Sequence, residues 1–215
     1  MTQDEKPAFL RIDLLSDSTF SRGEGTAGIV DTDIDRDDYG MPCIGGKTVR
    51  GLLRDTWLSM APHFPDLEAA AERVLGRSQS LADACRLRIG DALLPEPIRR
   101  MVRQAVERQE YPLTPAMILD GFTCIRYQTA EDRETGAPDA TTLRSSRLVI
   151  RGCSLEARLT WLHGYQPEPS DLRLLSLCVL ATRHGGLLRN RGRGHLQMTL
   201  DGDLAKTRHY AEVSQ

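Results

Sequence analysis

Hydrophobic and polar residues alternate along several stretches of the chain, which is the pattern of half-buried β-strands. In the first stretch every second side chain is apolar, and in the longest one the apolar positions from Leu155 to Trp161 share one face. The pattern predicts strands over residues 9–15, 85–94, 122–129, 147–162 and 195–200.

Other stretches carry apolar residues at helical spacing. Residues 172–181 are apolar on nearly every side, which predicts a buried helix, and Ser170 is its predicted N-cap. Shorter helical patterns cover residues 66–75 and 98–109. A further helix is predicted with one apolar side, formed by Val49, Leu52, Leu53, Trp57 and Met60, and one cationic side, formed by Lys47, Arg50 and Arg54.

The order of these elements is strand, helix, strand, insertion, strand, helix, strand. This is the β-α-β-β-α-β plan of a ferredoxin-like α+β domain, the architecture of RNA-recognition modules. We therefore predict a single domain over residues 1–215, built from residues 8–94 and 146–202. Residues 95–145 form an insertion or protruding hairpin.

A long loop over residues 16–46 has no periodic pattern, and such loops are often functional. It contains five aspartates within eight residues, so the segment is either solvated or neutralised by a divalent cation or a positive partner. A calcium-binding loop is excluded, because Arg36 stands where glycine is needed and Pro42 where glutamate is needed. The aspartates are Asp31, Asp33, Asp35, Asp37 and Asp38.

Residues 185–195, the arginine loop, combine four glycines and three arginines in eleven residues. Glycines let a polyanion approach the main chain, and arginines match phosphate oxygens. No acidic residue lies between Asp171 and Asp201. The loop is predicted to hold a nucleic-acid backbone; the alternative is a flexible surface hairpin with solvated charge.

Composition narrows the class of protein. The net charge is −2, yet all but three of the 28 basic residues are arginine, which either favours phosphate contacts or reflects high-GC codon usage. No apolar run is long enough to span a bilayer and the N-terminus has no basic segment, so we expect a cytoplasmic protein with no membrane contact. The five cysteines form no C-x-x-C pair, so neither disulfides nor a zinc site is expected.

Two segments resemble phosphate-binding motifs, but each lacks a feature that the motif requires. The glycines of residues 23–28 have the spacing of a dinucleotide-binding motif, but no helical pattern follows them. Residues 40–48 resemble a P-loop whose first glycine, Gly40, stands one residue too early. No arrangement of Ser, His and Asp or of Cys and His can be nominated for nucleophilic catalysis.

Three segments resemble the RAMP superfamily, the repeat-associated subunits of CRISPR effector complexes, and above all its type III backbone subunit. Residues 28–55 (GIVDTDIDRDDYGMPCIGGKTVRGLLRD) are similar to a family pattern that joins an R-D pair to a glycine-rich helix start. The strand around Asp91 (RIGDALL) and the arginine loop (GGLLRNRGRGHL) are similar to two further family segments. The opening residues also resemble the large RAMP subunit of type III-D complexes, in which the loop aspartate need not be catalytic.

The resemblance implies a ferredoxin-like palm with a thumb hairpin, here within residues 122–144. It implies partners: CRISPR guide RNA, target RNA, other type III effector subunits and like copies of the chain in a filament. It also implies that Asp31 is catalytic and binds Mg²⁺ or a similar divalent cation in cleaving target RNA. The RNA-binding residues it implies are Gly46, Lys47, Thr48, Arg50, Arg54, Gly185, Gly186, Arg191, Gly192 and Gly194. Independently of the resemblance, the charge of Arg189 and Arg193 adds these two arginines to the predicted RNA-binding residues.

Two other functions fit the same resemblance. The chain can be a non-catalytic structural subunit that caps the filament. It can also be a guide-maturation endoribonuclease, an activity that usually depends on a histidine base. The first histidine of the chain is His63, which weighs against the second alternative.

Overall fold

The computed structural model describes residues 6–21, 23, 25–76, 85–131, 134 and 136–212. Its strands are β1 (Phe9–Leu14), β2 (Leu87–Leu93), β3 (Thr123–Glu131), β4 (Pro138–Val149), β5 (Ser154–Trp161) and β6 (Leu196–Leu200). Its helices are α1 (Gly46–Met60), α2 (Glu68–Leu75), α3 (Glu96–Val106), α4 (Pro115–Phe122), α5 (Pro169–Ala181) and α6 (Leu204–Glu212).

Four strands form an antiparallel sheet in the order β2-β5-β1-β6. β1 lies inside the sheet because it pairs with β5 on one side and β6 on the other. Its Leu10, Ile12 and Leu14 alternate with less buried residues, so one face of the strand is buried in the core. That core also takes in the apolar sides of α1 and α5. The strand order and the two crossover helices confirm the predicted ferredoxin-like α+β fold.

β3 and β4 form a separate two-stranded sheet, which we call the hairpin. Its base is buried at Thr123, whereas residues 126–131 of β3 are exposed, so the far end extends away from the core. α3 and α4 lie between β2 and the hairpin in the chain. Among the described residues, no helix has the length and the apolar character needed to cross a bilayer.

The prediction of one strand over residues 147–162 is wrong. The chain turns at residues 151–152, where Gly152 has a left-handed φ of 87°. Residues before the turn belong to the hairpin and residues after it to the main sheet. An apolar alternation that continues across the turn hid this boundary.

The predicted N-cap of α5 is also wrong. Glu168 is the N-cap, and it forms a capping box with Asp171 while Pro169 occupies the first helical position. Ser170 instead accepts a hydrogen bond from Arg73 at 3.1 Å. Asp171 is fully buried and also accepts hydrogen bonds from Arg73 Nε and from Tyr165.

Candidate nucleic-acid interface

The arginine loop is held in place at both ends by backbone hydrogen bonds. The N–H of Gly185 donates to the carbonyl of Gly194 at 2.9 Å, which closes the loop. The N–H of Gly194 donates to Asp17 and that of Leu187 to Thr19, at 3.2 and 2.8 Å. The loop is thus bonded to the start of the long N-terminal loop, unlike a free surface hairpin.

Two of the four glycines in the arginine loop are required by close backbone contacts inside the protein, and a third, Gly185, is tightly packed against side chains. A Cβ on Gly194, at φ +70°, would lie 1.9 Å from the carbonyl oxygen of Gly185. A Cβ on Gly186, at φ +82°, would lie 2.6 Å from the carbonyl oxygen of Thr19, and one on Gly185 would lie 2.9 Å from a side chain. At Gly192 a Cβ would meet nothing within 4 Å. At Gly192 only the left-handed φ of +77° favours glycine, since no internal contact does.

The arginines of the loop differ in burial. Arg189 and Arg191 are exposed in a short 3-10 turn. Arg193 is only 5% exposed, and its Nη1 has no hydrogen-bond partner within the described part of the chain. Burial lowers the pKa of Arg193, and the positive charge of Arg126 lowers it further. A buried guanidinium nitrogen without a partner is costly, so this atom is suited to receive an anion.

Asp31 lies on the edge of the hairpin. The backbone of Thr32 bonds to Ser145 and Arg147 of β4, which places the preceding carboxylate beside Ser145. One oxygen of Asp31, Oδ2, accepts hydrogen bonds from the Ser145 N–H at 2.6 Å and from its hydroxyl at 2.9 Å. These two hydrogen bonds lower the pKa of Asp31, and Arg144 lowers it further. The carboxylate is therefore ionised at neutral pH and held by one oxygen.

The acidic and basic segments, far apart in sequence, meet at one cavity of about 450 Å³. We call it the Asp31 cavity. Asp31 lines it from the N-terminal loop, Arg191 and Arg193 from the arginine loop, and Arg144 from the hairpin. The remaining lining residues are Thr19, Thr32, Gln128, Thr129, Ala130, Thr142, Ser146, Leu187 and Leu188. The cavity thus combines three guanidinium groups with one carboxylate.

The start of α1 lies outside this cavity. Its first N–H, on Gly46, donates to the Asp91 carboxylate at 2.8 Å, so an internal anion already occupies that position. A Cβ on Gly46 would lie 2.4 Å from the carbonyl oxygen of Ile89, which explains the glycine by helix-to-sheet packing. Lys47 and Thr48 are exposed and accessible to a ligand.

The two arginines of α1 are engaged within the protein. Arg50 donates hydrogen bonds to Cys85 Sγ and to the carbonyl of Leu87. Arg54 donates to the carbonyl of Gly76 at 3.0 Å. Arg54 therefore stabilises the end of α2, and Arg50 stabilises the start of β2. The predicted contact of both side chains with RNA stays a prediction.

A sequence profile of the RAMP superfamily matches residues 11–195, most of the chain. The chain belongs to the RAMP superfamily. No curated protein sequence matches it.

Two solved structures show the RAMP fold shared by this chain. A chain of the type III-B Cmr-beta cryo-EM structure in its apo state is 12% identical, with a TM-score of 0.66, and the match covers 91% of this chain and 97% of that one. A chain of Cmr-beta bound to cognate target RNA is 10% identical, also with a TM-score of 0.66, covering 96% of this chain and 99% of that one.

The donor set around Asp31 does not fit a resident metal ion in this RAMP protein. Within the described ranges, no three side chains of His, Cys, Asp or Glu converge on one point. Asp31 is a single carboxylate facing three guanidinium groups, whose charge disfavours a cation. The predicted role of Asp31 as a Mg²⁺ ligand stays a prediction.

Sequence reasoning missed Arg144 and Ser145. Neither residue stands in a recognisable motif, because both lie in the middle of a strand rich in polar residues. Their importance comes only from the pairing of β4 with the backbone at Thr32. No histidine lines the Asp31 cavity, so the guide-maturation alternative gains no support from its described walls.

Proposed function

We propose that this RAMP protein is a guide-RNA-binding subunit of a type III CRISPR effector complex and that it cleaves target RNA at Asp31. Membership of the superfamily and the fold shared with Cmr-beta chains, one of them from a complex bound to target RNA, support the assignment. The proposed partners are guide RNA, target RNA, other effector subunits and like copies in a filament, in the cytoplasm.

The observation that carries the proposal is the Asp31 cavity. Three arginines converge there, and guanidinium groups bind phosphate through parallel N–H donors. The charge of the chain as a whole is slightly negative, so this local concentration of positive charge decides where a polyanion binds. Arg189 extends the positive surface onto the exposed side of the arginine loop.

The chemistry open to Asp31 is cleavage through the neighbouring ribose. The 2′-hydroxyl oxygen attacks the adjacent phosphorus, the bond to the 5′-oxygen breaks, and a cyclic phosphate and a 5′-hydroxyl result. The lowered pKa makes Asp31 a weak base, so its main contribution is to accept the hydrogen bond of the 2′-hydroxyl and orient it. The hydroxyl proton passes to water, and water returns a proton to the leaving oxygen.

The test of cleavage is Asp31→Ala in the assembled complex, with Asp38→Ala as the matched control. Asp38 is an exposed aspartate of the same loop that does not line the Asp31 cavity. We expect Asp31→Ala to abolish target cutting and to leave guide RNA retained, while Asp38→Ala changes neither. Unchanged cutting by the Asp31→Ala complex would instead favour the non-catalytic structural or capping subunit.

The test of RNA binding is the dependence of affinity on salt. If about four phosphates are neutralised, log K falls with log salt at a slope of roughly 3 for a single strand. Arg189→Gln and Arg191→Gln should each reduce that slope by about 0.7. A slope near zero for the wild-type chain would contradict RNA binding through the arginine loop.

A further inference from the structure

We propose that the Asp31 cavity holds a single ribonucleotide, with its phosphate on Arg193 and its 2′-hydroxyl on Asp31, and that Asp31 thereby selects ribose over deoxyribose. The inference rests on the proposed function and deepens it, because it assigns sugar selectivity to the cavity. RNA of the guide and RNA of the target share this chemistry, and the experiment below separates them.

The size and the walls of the cavity fit one nucleotide. Its volume of about 450 Å³ lies at the lower end of the range of small-ligand pockets, so it admits a ribose and a phosphate but no base-paired segment. The arginine loop and the hairpin both contribute to its walls. Thr142 and Ser146 of the hairpin and Thr19 of the N-terminal loop add polar residues to the lining.

Arg193 marks the position of the phosphate. Its side chain is almost fully buried and its Nη1 lacks a hydrogen-bond partner among the described residues. The nearby carboxylate of Asp17 is bound to Arg126 at 2.5 Å and acts on Arg193 only through its charge; no ion pair of Arg193 is formed with the described residues. A phosphate oxygen would supply both the missing acceptor and the missing negative charge.

Asp31 marks the position of the ribose. Oδ2 is bound to Ser145, whereas Oδ1 has no hydrogen bond within the described ranges. Within the described residues, Asp31 forms no ion pair with an arginine that lines the cavity, and Arg144 acts on the carboxylate only through its charge. A carboxylate accepts the 2′-hydroxyl of RNA and repels phosphate, which fixes the direction in which the nucleotide enters.

Ser145 is the positioning residue of this arrangement. Its N–H and its hydroxyl both bind Oδ2, and its hydroxyl oxygen in turn accepts the N–H of Asp31 at 3.0 Å. The carboxylate therefore cannot rotate towards the arginines without losing these bonds. Ser145→Ala should weaken the selectivity for ribose without removing it, because the backbone bond remains.

The experiment is a thermodynamic cycle between the Asp31 side chain and the 2′-hydroxyl. Full-length wild type, Asp31→Ala and the control Asp38→Ala are titrated by fluorescence polarisation with a labelled single-stranded RNA and with the DNA of the same sequence. A hydrogen bond to a charged group corresponds to a preference for RNA of about tenfold or more. We expect Asp31→Ala to lose about tenfold of the wild-type preference and Asp38→Ala to keep it.

Arg193 is tested by the same titrations. Arg193→Gln should lower the affinity for RNA and for DNA by the same factor, because both polymers carry the phosphate. The preference for RNA over DNA should therefore stay unchanged. Since Arg193 is buried, thermal unfolding is measured alongside, and Arg191→Gln, on the exposed turn, provides a second variant that should keep the fold. A change of preference in Arg193→Gln with its fold intact would overturn the assignment of phosphate to this residue.

The outcomes separate the two levels of the proposal. If wild type binds no RNA, the proposed function fails. If wild type binds RNA and Asp31→Ala keeps the full preference for ribose, the pocket inference alone fails. In complexes assembled on a guide, single ribonucleotides of the guide strand or of the target strand are replaced by deoxynucleotides. If a strand occupies the cavity, one such replacement lowers its affinity for the wild-type complex but not for the Asp31→Ala complex. Sensitivity in neither strand overturns the inference.

Discussion

The glycines of the arginine loop allow a direct test of whether packing or ligand approach required them. Gly192 and Gly194 both have left-handed backbones, with φ of 77° and 70°. Gly194→Ala would place a Cβ 1.9 Å from the carbonyl oxygen of Gly185, whereas Gly192→Ala would meet nothing within 4 Å. The two substitutions therefore share the backbone strain and differ only in the steric clash.

The magnitudes follow from this difference. A left-handed conformation costs a residue with a Cβ about 1 to 2 kcal/mol, which applies to both variants. At position 194 the clash adds about 1 to 3 kcal/mol, and displacing the backbone weakens the bonds to Gly185 and Asp17 by about 1 kcal/mol more. We expect Gly194→Ala to lose roughly 3 to 6 kcal/mol of unfolding free energy and Gly192→Ala about 1 to 2.

Urea denaturation followed by circular dichroism measures both losses of unfolding free energy. In thermal unfolding of a chain of this size, each kcal/mol corresponds to about 2 to 4 °C in Tm, so the two variants should be clearly separated there as well. Equal losses, or a larger loss at Gly192, would refute the packing explanation and return these glycines to a role in ligand approach.

Three further predictions concern buried charges. Arg193→Met should leave the unfolding free energy unchanged or raise it by about 1 kcal/mol while RNA affinity falls, and a clear loss of stability in urea would contradict the view that Arg193 Nη1 has no partner in the described part of the chain. Asp171→Asn should cost about 3 kcal/mol in the same assay, since it leaves Arg73 and Tyr165 without their buried carboxylate; a loss under about 1 kcal/mol would show that the network is dispensable. Burial raises the pKa of Asp33, but the hydrogen bonds that its carboxylate accepts lower it more, so its pKa lies below the ordinary 3.8. The ionised carboxylate therefore stabilises the fold above pH 3.8, and this contribution is lost as the pH falls through the folded-state pKa. Unfolding measured at pH 5 and pH 3 should show a smaller drop for Asp33→Asn than for wild type, and equal drops would exclude the linkage.

The main sheet and its two crossover helices could be predicted because their apolar periods are regular. β1 alternates strictly, and α1 repeats its apolar positions at three and four residues. The boundary between β4 and β5 could not be predicted, because the apolar pattern runs through the turn and only Gly152 marks it. α6 has a weakly amphipathic sequence, and it forms because it packs on α5 and β6.

For the site, composition identified the two charged segments that line the Asp31 cavity, but not how they lie relative to each other. Spacing alone cannot place Asp31 beside Arg191 and Arg193, since more than half of the chain separates them. The burial of Arg193 and the hydrogen bonds of Ser145 depend on how the hairpin closes on the palm. The glycine pattern predicts an open approach for phosphate, whereas three of the four glycines lie in tight internal contacts.

The walls of the Asp31 cavity come from distant segments of the polypeptide: Thr19 and Asp31 precede Arg191 and Arg193 by most of the RAMP domain. During synthesis the ribosome releases the N-terminal segments first, so a nascent chain has the carboxylate long before it has the cationic wall. The cavity forms only after the arginine loop has left the ribosome and closed on the N-terminal loop. Under the proposed function, a chain arrested before the arginine loop would carry Asp31 and still be unable to compete for RNA there.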